Sequence, residues 1–470
     1  MRIERVPLSA LPDHFHPIAA AFAADDPRLR ARFAVSWRDE AALVAHARSA
    51  AARGLDPDLN LDPGPAFDKL RKGAPAVVTG QQPSVALGPM YNVYKAITAV
   101  RWARKLEAVP VFWNHSDDDN LEGLDRVATP EGAVEAAWGG EGALSFRTAK
   151  LDLEALEKLG ADVSVLRANL RGDVAGDFTR LLHALFGDEL LVVEPRQLEG
   201  PRAREILRKA VADRNLVQSA IDRGGEKLKD LGFKRTLGHK LGSNVYAFDG
   251  PRRVPAESQA GRLSAGVAMR LIVQDAVLPT ALVIAGPNEV AYIAQLRELY
   301  EAFGRTGPVV APRITATLID PRAARIADSI GLSGAQLLAG EDSIRFGAAM
   351  EATSEIQESV KALQAEMVAR MKALEIALRP GQKDLARKTA EKISSVVAAF
   401  GQRIAAAEKE ADAVAAERAK KLVAHLAPDG KLQERVLSVW YFLAIAGPGL
   451  IKSLMDELDP FSPDHQLGWL

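Results

Sequence analysis

A short acidic loop supplies the residue types that proton transfer needs. Asp117, Asp118 and Asp119 follow one another closely behind Trp113 and His115. Adjacent carboxylates repel one another, so we expect at least one to have a raised pKa suited to a general base, or a cation to lie among them. The alternative is a solvated acidic turn that caps the next helix, because aspartate is common at helix starts.

A second polar turn precedes this loop. Gln81 and Gln82 each carry an amide that donates and accepts hydrogen bonds, and Gly80 and Gly88 allow the backbone to approach a ligand or adopt a positive φ. This turn favours a ligand site over a solvated cap.

A strand, helix and strand are predicted to bring the two loops together. The turn at Gly80–Pro89 follows a short apolar run and precedes a helical pattern at Tyr91–Lys105. The apolar run Val109–Trp113 then predicts a second strand. Loops at the carboxyl ends of parallel strands border the ligand crevice, so we expect this turn and the loop Asn114–Glu122 to lie side by side.

The same order recurs later in the chain. Ala281–Ile284 predicts a buried strand, Glu289–Phe303 has helical spacing, and Val309–Pro312 predicts another strand. Asn288 and Glu289 would then lie at a helix start facing the crevice, where free N–H groups favour anions. The alternative is that Glu289 is a helix-start carboxylate interacting with the helix dipole.

A different pattern begins near Ile344 and continues to Leu426. Apolar residues recur at intervals of three and four on both sides of a turn at Arg379–Gly381, which predicts an antiparallel coiled-coil hairpin. A long arm without its own globular core usually serves association, so we expect a homodimer. The apolar positions are Ile356, Val360, Leu363, Met367, Met371, Leu374, Leu378, Leu385, Val396, Phe400, Ile404, Ala407, Ala411 and Val414.

Length and composition restrict the possible domain organisation and function. A chain of 470 residues is longer than one hydrophobic core usually supports. We predict a core at 1–343, the arm at 344–426 and C-terminal helices at 427–470 that return to the core. Lysine plus arginine (60) nearly balances aspartate plus glutamate (61), so no overall charge indicates nucleic acid or a membrane. The absence of cysteine excludes disulfides and thiolate chemistry. No run approaches the roughly 20 apolar residues of a membrane helix, and we expect a cytoplasmic protein.

Three blocks of sequence carry a family resemblance. They are VVTGQQPSVALGPMYNVYKAITAVRWARKLEAVPVFWNHSDDDNLE from Val77, AGPNEVAYIAQLRELYEAFG from Ala285, and LQERVLSVWYFLAIAGPGLIKSLMDELDPFSPDHQ from Leu432. In this order they resemble the cysteine-adding enzymes of bacillithiol biosynthesis, the BshC family. The resemblance implies an α/β fold with a Rossmann-like core, helical connecting regions and a dimerising coiled-coil arm. It also implies a ligase that adds L-cysteine to glucosaminyl-malate through an amide bond.

The resemblance and the charges suggest roles for the site residues. Asp118 is the expected base, with Asp117 and His115 as further catalytic candidates, because the family pattern Glu-Asp-His-Asp reads Asp-Asp-Asp-Asn here. The histidine position is taken by Asp119, and His115 could supply the imidazole instead. Substrate carboxylates call for cations. The substrate-binding candidates are Gln81, Gln82, Tyr91, Lys95, Trp113, Asp119, Asn120, Asn288, Glu289, Tyr292 and Arg313, with Lys95 and Arg313 expected to meet anions.

The sequence does not identify a cofactor, and it leaves two alternatives to the ligase function open. A nucleotide, ATP or ADP, would suit a Rossmann-like core, but the chain has neither a Walker lysine loop nor a GxGxxG fingerprint. A metal-dependent hydrolase could use His115 with the aspartates, although no ligand from a third element can be placed, and we predict no metal site. A catalytically altered paralogue, acting as a dimeric small-molecule or nucleotide-binding protein, would explain the changed acidic loop.

Overall fold

The computed structural model describes residues 1–330, 334–338, 352–377 and 379–470. These residues form two compact units. The first contains Met1–Asp320 and Lys431–Leu470, and the second contains Pro321–Gly430. The predicted boundary between residues 343 and 344 lies outside the described residues.

A five-stranded parallel sheet forms the centre of the first unit. Its strand order is β13-β12-β2-β3-β8, and its strands are buried and almost continuously apolar, as expected for a parallel sheet covered on both faces. The strands in chain order are β1 (Arg2–Val6), β2 (Ala76–Gln81), β3 (Val109–Asn114), β4 (Arg126–Thr129), β5 (Gly132–Glu135), β6 (Ala137–Gly139), β7 (Thr148–Lys150), β8 (Leu191–Val193), β9 (Val245–Asp249), β10 (Arg252–Pro255), β11 (Leu263–Ala265), β12 (Thr280–Ala285), β13 (Val310–Pro312), β14 (Thr315–Ile319) and β15 (His465–Trp469).

Helices cover the sheet and form the arm. Among those described, none is long and apolar enough to cross a membrane. The helices are α1 (Pro17–Ala23), α2 (Pro27–Arg30), α3 (Glu40–Arg53), α4 (Pro65–Arg71), α5 (Tyr91–Lys105), α6 (Leu153–Lys158), α7 (Ser164–Asn169), α8 (Val174–Phe186), α9 (Pro201–Ala212), α10 (Arg214–Asp230), α11 (Val267–Val277), α12 (Pro287–Ile293), α13 (Arg297–Ala302), α14 (Pro321–Ile330), α15 (Ala352–Ala377), α16 (Pro380–Leu426), α17 (Val439–Ala446) and α18 (Leu450–Glu457).

The predicted strand-helix-strand unit is confirmed as β2, α5 and β3. Strands β2 and β3 are parallel neighbours, and Gln81 pairs with Asn114 at their carboxyl ends. The backbone N–H of His115 donates to the Gln81 carbonyl at 2.8 Å. The polar turn and the acidic loop therefore lie side by side, as expected.

The single helix predicted at Glu289–Phe303 is wrong. The helix ends at Ile293 and a new one begins at Arg297. Between them, the buried Gln295 side chain accepts the backbone N–H of Leu237 at 2.9 Å and donates to the carbonyl of Ile221 at 2.9 Å. These tertiary hydrogen bonds offset the helical bonds that the break removes.

The second unit contains the predicted antiparallel hairpin. Met371 lies near Ala386 close to the turn, whereas Val360 lies near Gly401 further along, so α15 and α16 run in opposite directions. Small residues of α16, such as Ala386 and Ala390, face methionines of α15. Leu378 and the side chains of Ile356, Ala407 and Ala411 lie outside the described part of the chain.

Several apolar positions of the predicted seam instead face outward. Leu385, Val396, Phe400 and Val414 are 69%, 68%, 52% and 47% exposed. At roughly 100° per residue these four positions fall within an arc of about 60° on α16. The exposed polar residues Thr389 and Arg403 share this arc, so the apolar stripe is interrupted. An exposed apolar stripe is typical of a protein-binding surface.

We predict that this stripe joins two copies of the chain. Replacing Leu385, Val396 and Phe400 together with glutamate should convert a dimer into a monomer, because three charges would be buried in the interface. Light scattering measures the mass. The control replaces two exposed polar residues of the same helix that lie outside this arc, Ser395 and Gln402, with glutamate.

The control should keep the dimer mass. A monomeric wild-type protein, or a dimer that survives the three apolar substitutions, would contradict this prediction.

Candidate functional site

A cleft of about 460 Å³ opens at the carboxyl ends of β2, β3 and β12. Among the predicted site residues, Asp117 and Asp119 are the two outside its lining. Those that line it are Gln81, Gln82, Tyr91, Lys95, Trp113, His115, Asp118, Asn120, Asn288, Glu289, Tyr292 and Arg313.

Lys95 is held at the centre of this cleft. Its ammonium donates to the Gly80 carbonyl at 2.6 Å, to Gln81 Oε1 at 2.9 Å and to Glu289 Oε1 at 2.7 Å. Burial lowers the pKa of Lys95, and the charge of Glu289 opposes that shift. All three donors of the ammonium are used. Lys95 can therefore bind a substrate carboxylate only by exchanging one of these three acceptors, and that role stays a prediction.

Glu289 also occupies the start of α12. Its Oε2 accepts the backbone N–H of Gly286 at 2.6 Å, while Oε1 accepts from Lys95. Glu289 thus interacts with the helix start, as the alternative prediction for this residue stated, and the binding of a substrate anion there stays a prediction. Asn288, next to it, is exposed at the edge of the cleft.

Arg313 is likewise already paired. Its Nη1 and Nη2 donate to the two carboxylate oxygens of Glu434 at 3.0 and 2.7 Å, and both side chains are almost fully buried. Burial alone would lower the pKa of Arg313, but Glu434 raises it on balance. The guanidinium and the carboxylate neutralise each other, while the buried Nε of Arg313 has no hydrogen-bond partner among the described residues. The predicted contact of Arg313 with a substrate anion stays a prediction.

Asp118 is an ionised partner of two arginines. Arg270 Nη2 donates to its Oδ2 at 2.5 Å, and Arg253 Nη1 lies 3.6 Å from the same oxygen. Its Oδ1 accepts the backbone N–H groups of Asp119 and Asn120 at 2.9 and 3.1 Å. Burial would raise the pKa of Asp118, but Arg270 and then Arg253 hold it well below its usual value.

The raised pKa predicted within the acidic loop is therefore wrong for Asp118. A carboxylate with a lowered pKa and two engaged oxygens is a poor proton acceptor at neutral pH. Asp117 is buried outside the cleft and accepts from the Ser264 hydroxyl, with Arg270 3.7 Å away. Asp119 is exposed. The three aspartates thus point into three different environments.

The two arginines that pair with Asp118, Arg270 and Arg253, were not predicted from the sequence. Arg270 lies on α11, within the apolar run VAMRLIV, and is buried with 9% exposure. A lone charge in such a run requires a buried partner, which is a signal that the sequence did contain. Arg253 comes from β10 and offered no comparable signal.

His115 is a titratable lining residue whose ring has no hydrogen-bond partner in the described part of the chain. Neither of its ring nitrogens has a hydrogen-bond partner among the described residues. Burial lowers the pKa of His115 well below 6.5, and the charges of Arg270 and Lys95 lower it further. The imidazole is therefore neutral near pH 7 and keeps a free lone pair.

Two neighbours fix the imidazole position. The Trp113 ring packs edge-on against His115 with 5.1 Å between centroids. A Cβ added to Gly80 would lie 2.6 Å from His115 Nε2 and 2.8 Å from the Trp113 carbonyl oxygen. Only glycine at position 80 leaves room for the ring. The buried indole N–H of Trp113 has no partner within the described chain and could donate to a ligand.

The remaining lining residues add neutral polar groups. The Gln82 amide has no hydrogen-bond partner among the residues described, so it can bind a ligand. Burial raises the pKa of Tyr91 and of Tyr292, and both phenols stay protonated. Within the described ranges, no group of three or more potential metal-ligating side chains occurs.

Arg435 is a further lining residue that the sequence did not single out. It comes from the C-terminal segment, at the end of the short 3-10 helix Gln433–Arg435. Its guanidinium is exposed and, in the described part of the molecule, makes no ion pair. The block LQERV contains it, but nothing in that motif distinguishes it from an ordinary surface arginine.

Comparison with known proteins identifies similar sequences along most of the chain. The model "Bacillithiol biosynthesis BshC, N-terminal Rossmann-like domain" matches residues 64–258 and 252–314. The model for the C-terminal coiled-coil domain of the same family matches residues 316–468. These matches confirm the predicted Rossmann-like core and coiled-coil arm.

Individual relatives cover most of the chain as well. A protein of Koribacter versatilis is 31% identical over 456 residues, which cover 85% of each chain. One of Carboxydothermus hydrogenoformans is 28% identical, with 86% of each chain covered. One of Symbiobacterium thermophilum is 26% identical and covers 97% of this chain and 98% of its own. Each is named "Putative cysteine ligase BshC".

We predict that Asp118 contributes mainly to stability. Asp118→Asn should lower the free energy of unfolding by about 3–5 kcal/mol, because it leaves Arg270 buried without its partner. The lowered pKa of Asp118 means that its contribution is present above the ordinary value of 3.8 and is lost as the pH falls below it. Urea unfolding at pH 7 and at pH 3 measures both effects.

Asp119→Asn is the matched control for this prediction. It changes an exposed neighbouring carboxylate and should alter stability by less than about 0.5 kcal/mol. If the two variants are equally stable, Asp118 does not anchor the loop.

We also predict that Gly80→Ala displaces the His115 ring. Overpacking of this kind costs about 1–3 kcal/mol, and the displaced imidazole should titrate closer to 6.5 than in the wild type. NMR titration of the histidine resonances measures this, with His115→Gln providing the assignment. Gly238→Ala, at a glycine with open space around it, is the control. A His115 pKa that does not change in Gly80→Ala would contradict the packing argument.

Proposed function

This chain belongs to the bacillithiol biosynthesis BshC family, and from that membership we propose that it is a ligase that joins L-cysteine to the amine of glucosaminyl-malate. The observation that carries the proposal is the neutral, unpartnered imidazole of His115 in the cleft. Amide formation requires an acceptor for the amine proton, and His115 is suited to that task.

Apart from Arg435, the other acidic and basic groups described above in the cleft already have polar partners. Both oxygens of Asp118 and both oxygens of Glu289 already accept hydrogen bonds. Lys95 uses all three of its donors. We therefore assign the general base to His115 and treat Asp118 as the residue that holds Arg270 in place.

Substrate binding should strengthen this base. The charges of Arg270 and Lys95 help to lower the pKa of His115 in the free protein. An anionic substrate offsets those positive charges, so its arrival raises the pKa of His115 toward the working pH. The imidazole then becomes a better proton acceptor when the amine is present.

The proposed reaction forms one C–N bond and breaks one C–O bond. The amine nitrogen attacks the carboxyl carbon of cysteine, the C–N bond forms, and the nitrogen gives its proton to His115. The carboxyl carbon loses one oxygen. Activation by a nucleoside triphosphate would carry that oxygen away on phosphate or AMP, and without activation it leaves as water. We propose that the N–H groups of Gln82 and Trp113, both lining residues, orient the substrates.

A non-catalytic paralogue is the alternative that the changed acidic loop suggested. The three relatives described above carry a ligase name, which does not favour it. The loop also retains an imidazole in the cleft, although at position 115 instead of 119. The ligase proposal therefore accounts for more of the observations.

We predict that His115→Gln lowers kcat for cysteine-dependent consumption of glucosaminyl-malate by about 100- to 10,000-fold, the usual effect of losing a general base. Substrate affinity and melting temperature should change little. The matched control is His183→Gln at an exposed histidine of α8. In the wild type, NMR should also show the His115 pKa rising when L-cysteine is added without glucosaminyl-malate, because the cysteine carboxylate is the anion that lies beside the imidazole.

Full activity of His115→Gln would remove His115 from the mechanism. A wild-type protein that binds the sugar but never consumes it would support the paralogue instead.

A further inference from the structure

The C-terminal segment contributes one charged side chain, Arg435, to the cleft. We infer that Arg435 recognises the carboxylates of the malate-bearing substrate, an inference that rests on the proposed function and names the residue that selects this substrate.

Two buried side chains anchor the segment immediately before Arg435. Gln433 Oε1 accepts the Leu318 backbone N–H at 2.8 Å, and Gln433 Nε2 donates to the Leu318 carbonyl at 2.8 Å. Glu434 accepts from Arg313 and from the Ala316 backbone N–H at 3.0 Å. Because these two preceding residues are held inside the protein, the backbone of Arg435 is anchored beside the cleft that its side chain lines.

Arg435 is the free cation of the cleft. Lys95 is paired with Glu289, Arg270 with Asp118, and Arg313 with Glu434. Among the described lining residues, Arg435 is the cation without such a partner. At the other three cations a protein carboxylate already binds the ammonium or the Nη groups, and the Nε atoms of Arg270 and Arg313, unpartnered within the described chain, are buried. An incoming anion meets no such competitor among the described residues at Arg435.

The cleft has two distinguishable ends. His115 lies against the end of β2, where a Cβ added to Gly80 would come within 2.6 Å of its Nε2. The segment that carries Arg435 instead meets the start of α5, where the Met90 backbone N–H donates to the Leu437 carbonyl at 2.9 Å. Lys95 lies further along α5 and connects the two ends through its hydrogen bond to the Gly80 carbonyl at 2.6 Å. Arg435 is thus placed at the end opposite the imidazole.

The positions of His115 and Arg435 at different ends of the cleft match the chemistry of the substrates. The cysteine carboxylate is consumed in the reaction and must lie beside the amine, near His115. The two malate carboxylates persist unchanged and belong at the other end. A guanidinium presents two parallel N–H groups that fit a carboxylate, and such charge-assisted pairs are among the stronger polar contacts.

Calorimetry with the full-length protein tests this inference without relying on turnover. Glucosaminyl-malate, the methyl glycoside of glucosamine and ATP are titrated separately into wild type, Arg435→Gln and Arg435→Lys. We expect Arg435→Gln to weaken glucosaminyl-malate binding about 10- to 100-fold, the range for a lost hydrogen bond to a charged group. The methyl glycoside, which lacks carboxylates, should bind all three proteins equally, and Arg435→Lys should keep part of the affinity.

Lys431→Gln is the control, because Lys431 is an exposed cation four residues away and outside the cleft lining. It should leave binding unchanged. Equal affinity of wild type and Arg435→Gln for glucosaminyl-malate would overturn the inference, as would a loss of ATP binding with glucosaminyl-malate binding intact. If the wild type binds glucosaminyl-malate through Arg435 but does not consume it with cysteine, the ligase proposal fails while this inference stands.

Discussion

Lys95 carries its charge at the centre of the cleft, where burial disfavours an ammonium ion. Removing an unpaired charge from water costs several kcal/mol, so the fold has to surround it with acceptors. The Gly80 carbonyl and the Gln81 amide come from the end of β2, and the Glu289 carboxylate comes from α12. One ammonium therefore fixes the positions of α5, the polar turn and the start of α12 relative to each other. The shape of the cleft depends on this contact.

The same requirement explains the rest of the charge pattern. Arg270 needs Asp118 and Arg313 needs Glu434, because each guanidinium is buried. These ion pairs stabilise the fold, and within each pair the two charges cancel. Two lining residues, His115 and Arg435, have no such ion-pair partner among the described residues. The imidazole of His115 is kept neutral by burial and by the nearby cations, and the guanidinium of Arg435 stays unpaired at the opposite end. One end of the cleft is thus suited to proton transfer and the other to holding an anion.

Much of this architecture could be predicted from the sequence, because it depends on local patterns. The bounds predicted for α5 match the structure, and the adjacency of the Gln81 turn and the His115 loop follows from parallel-strand topology. The electrostatic roles could not be predicted in this way. Lys95, Arg313 and Asp118 line the cleft, but their long-range partners Glu289, Glu434 and Arg270 are separated from them by 194, 121 and 152 positions. No local pattern reveals whether a charge is free or already paired. The exposed stripe on α16 was missed for a related reason, since a repeat of three and four does not say which face meets the partner helix.

The most direct test of the account is a crystal structure of the wild-type protein with glucosaminyl-malate and a non-reactive analogue of cysteine. The account predicts that the glucosamine nitrogen lies within hydrogen-bond reach of a His115 ring nitrogen, at roughly 2.6–3.2 Å. It also predicts that the malate carboxylates lie at the Arg435 end, with the Lys95–Glu289 and Arg270–Asp118 pairs intact. A bound sugar whose amine instead contacts Asp118, or a ligand that displaces Glu289 from Lys95, would contradict it.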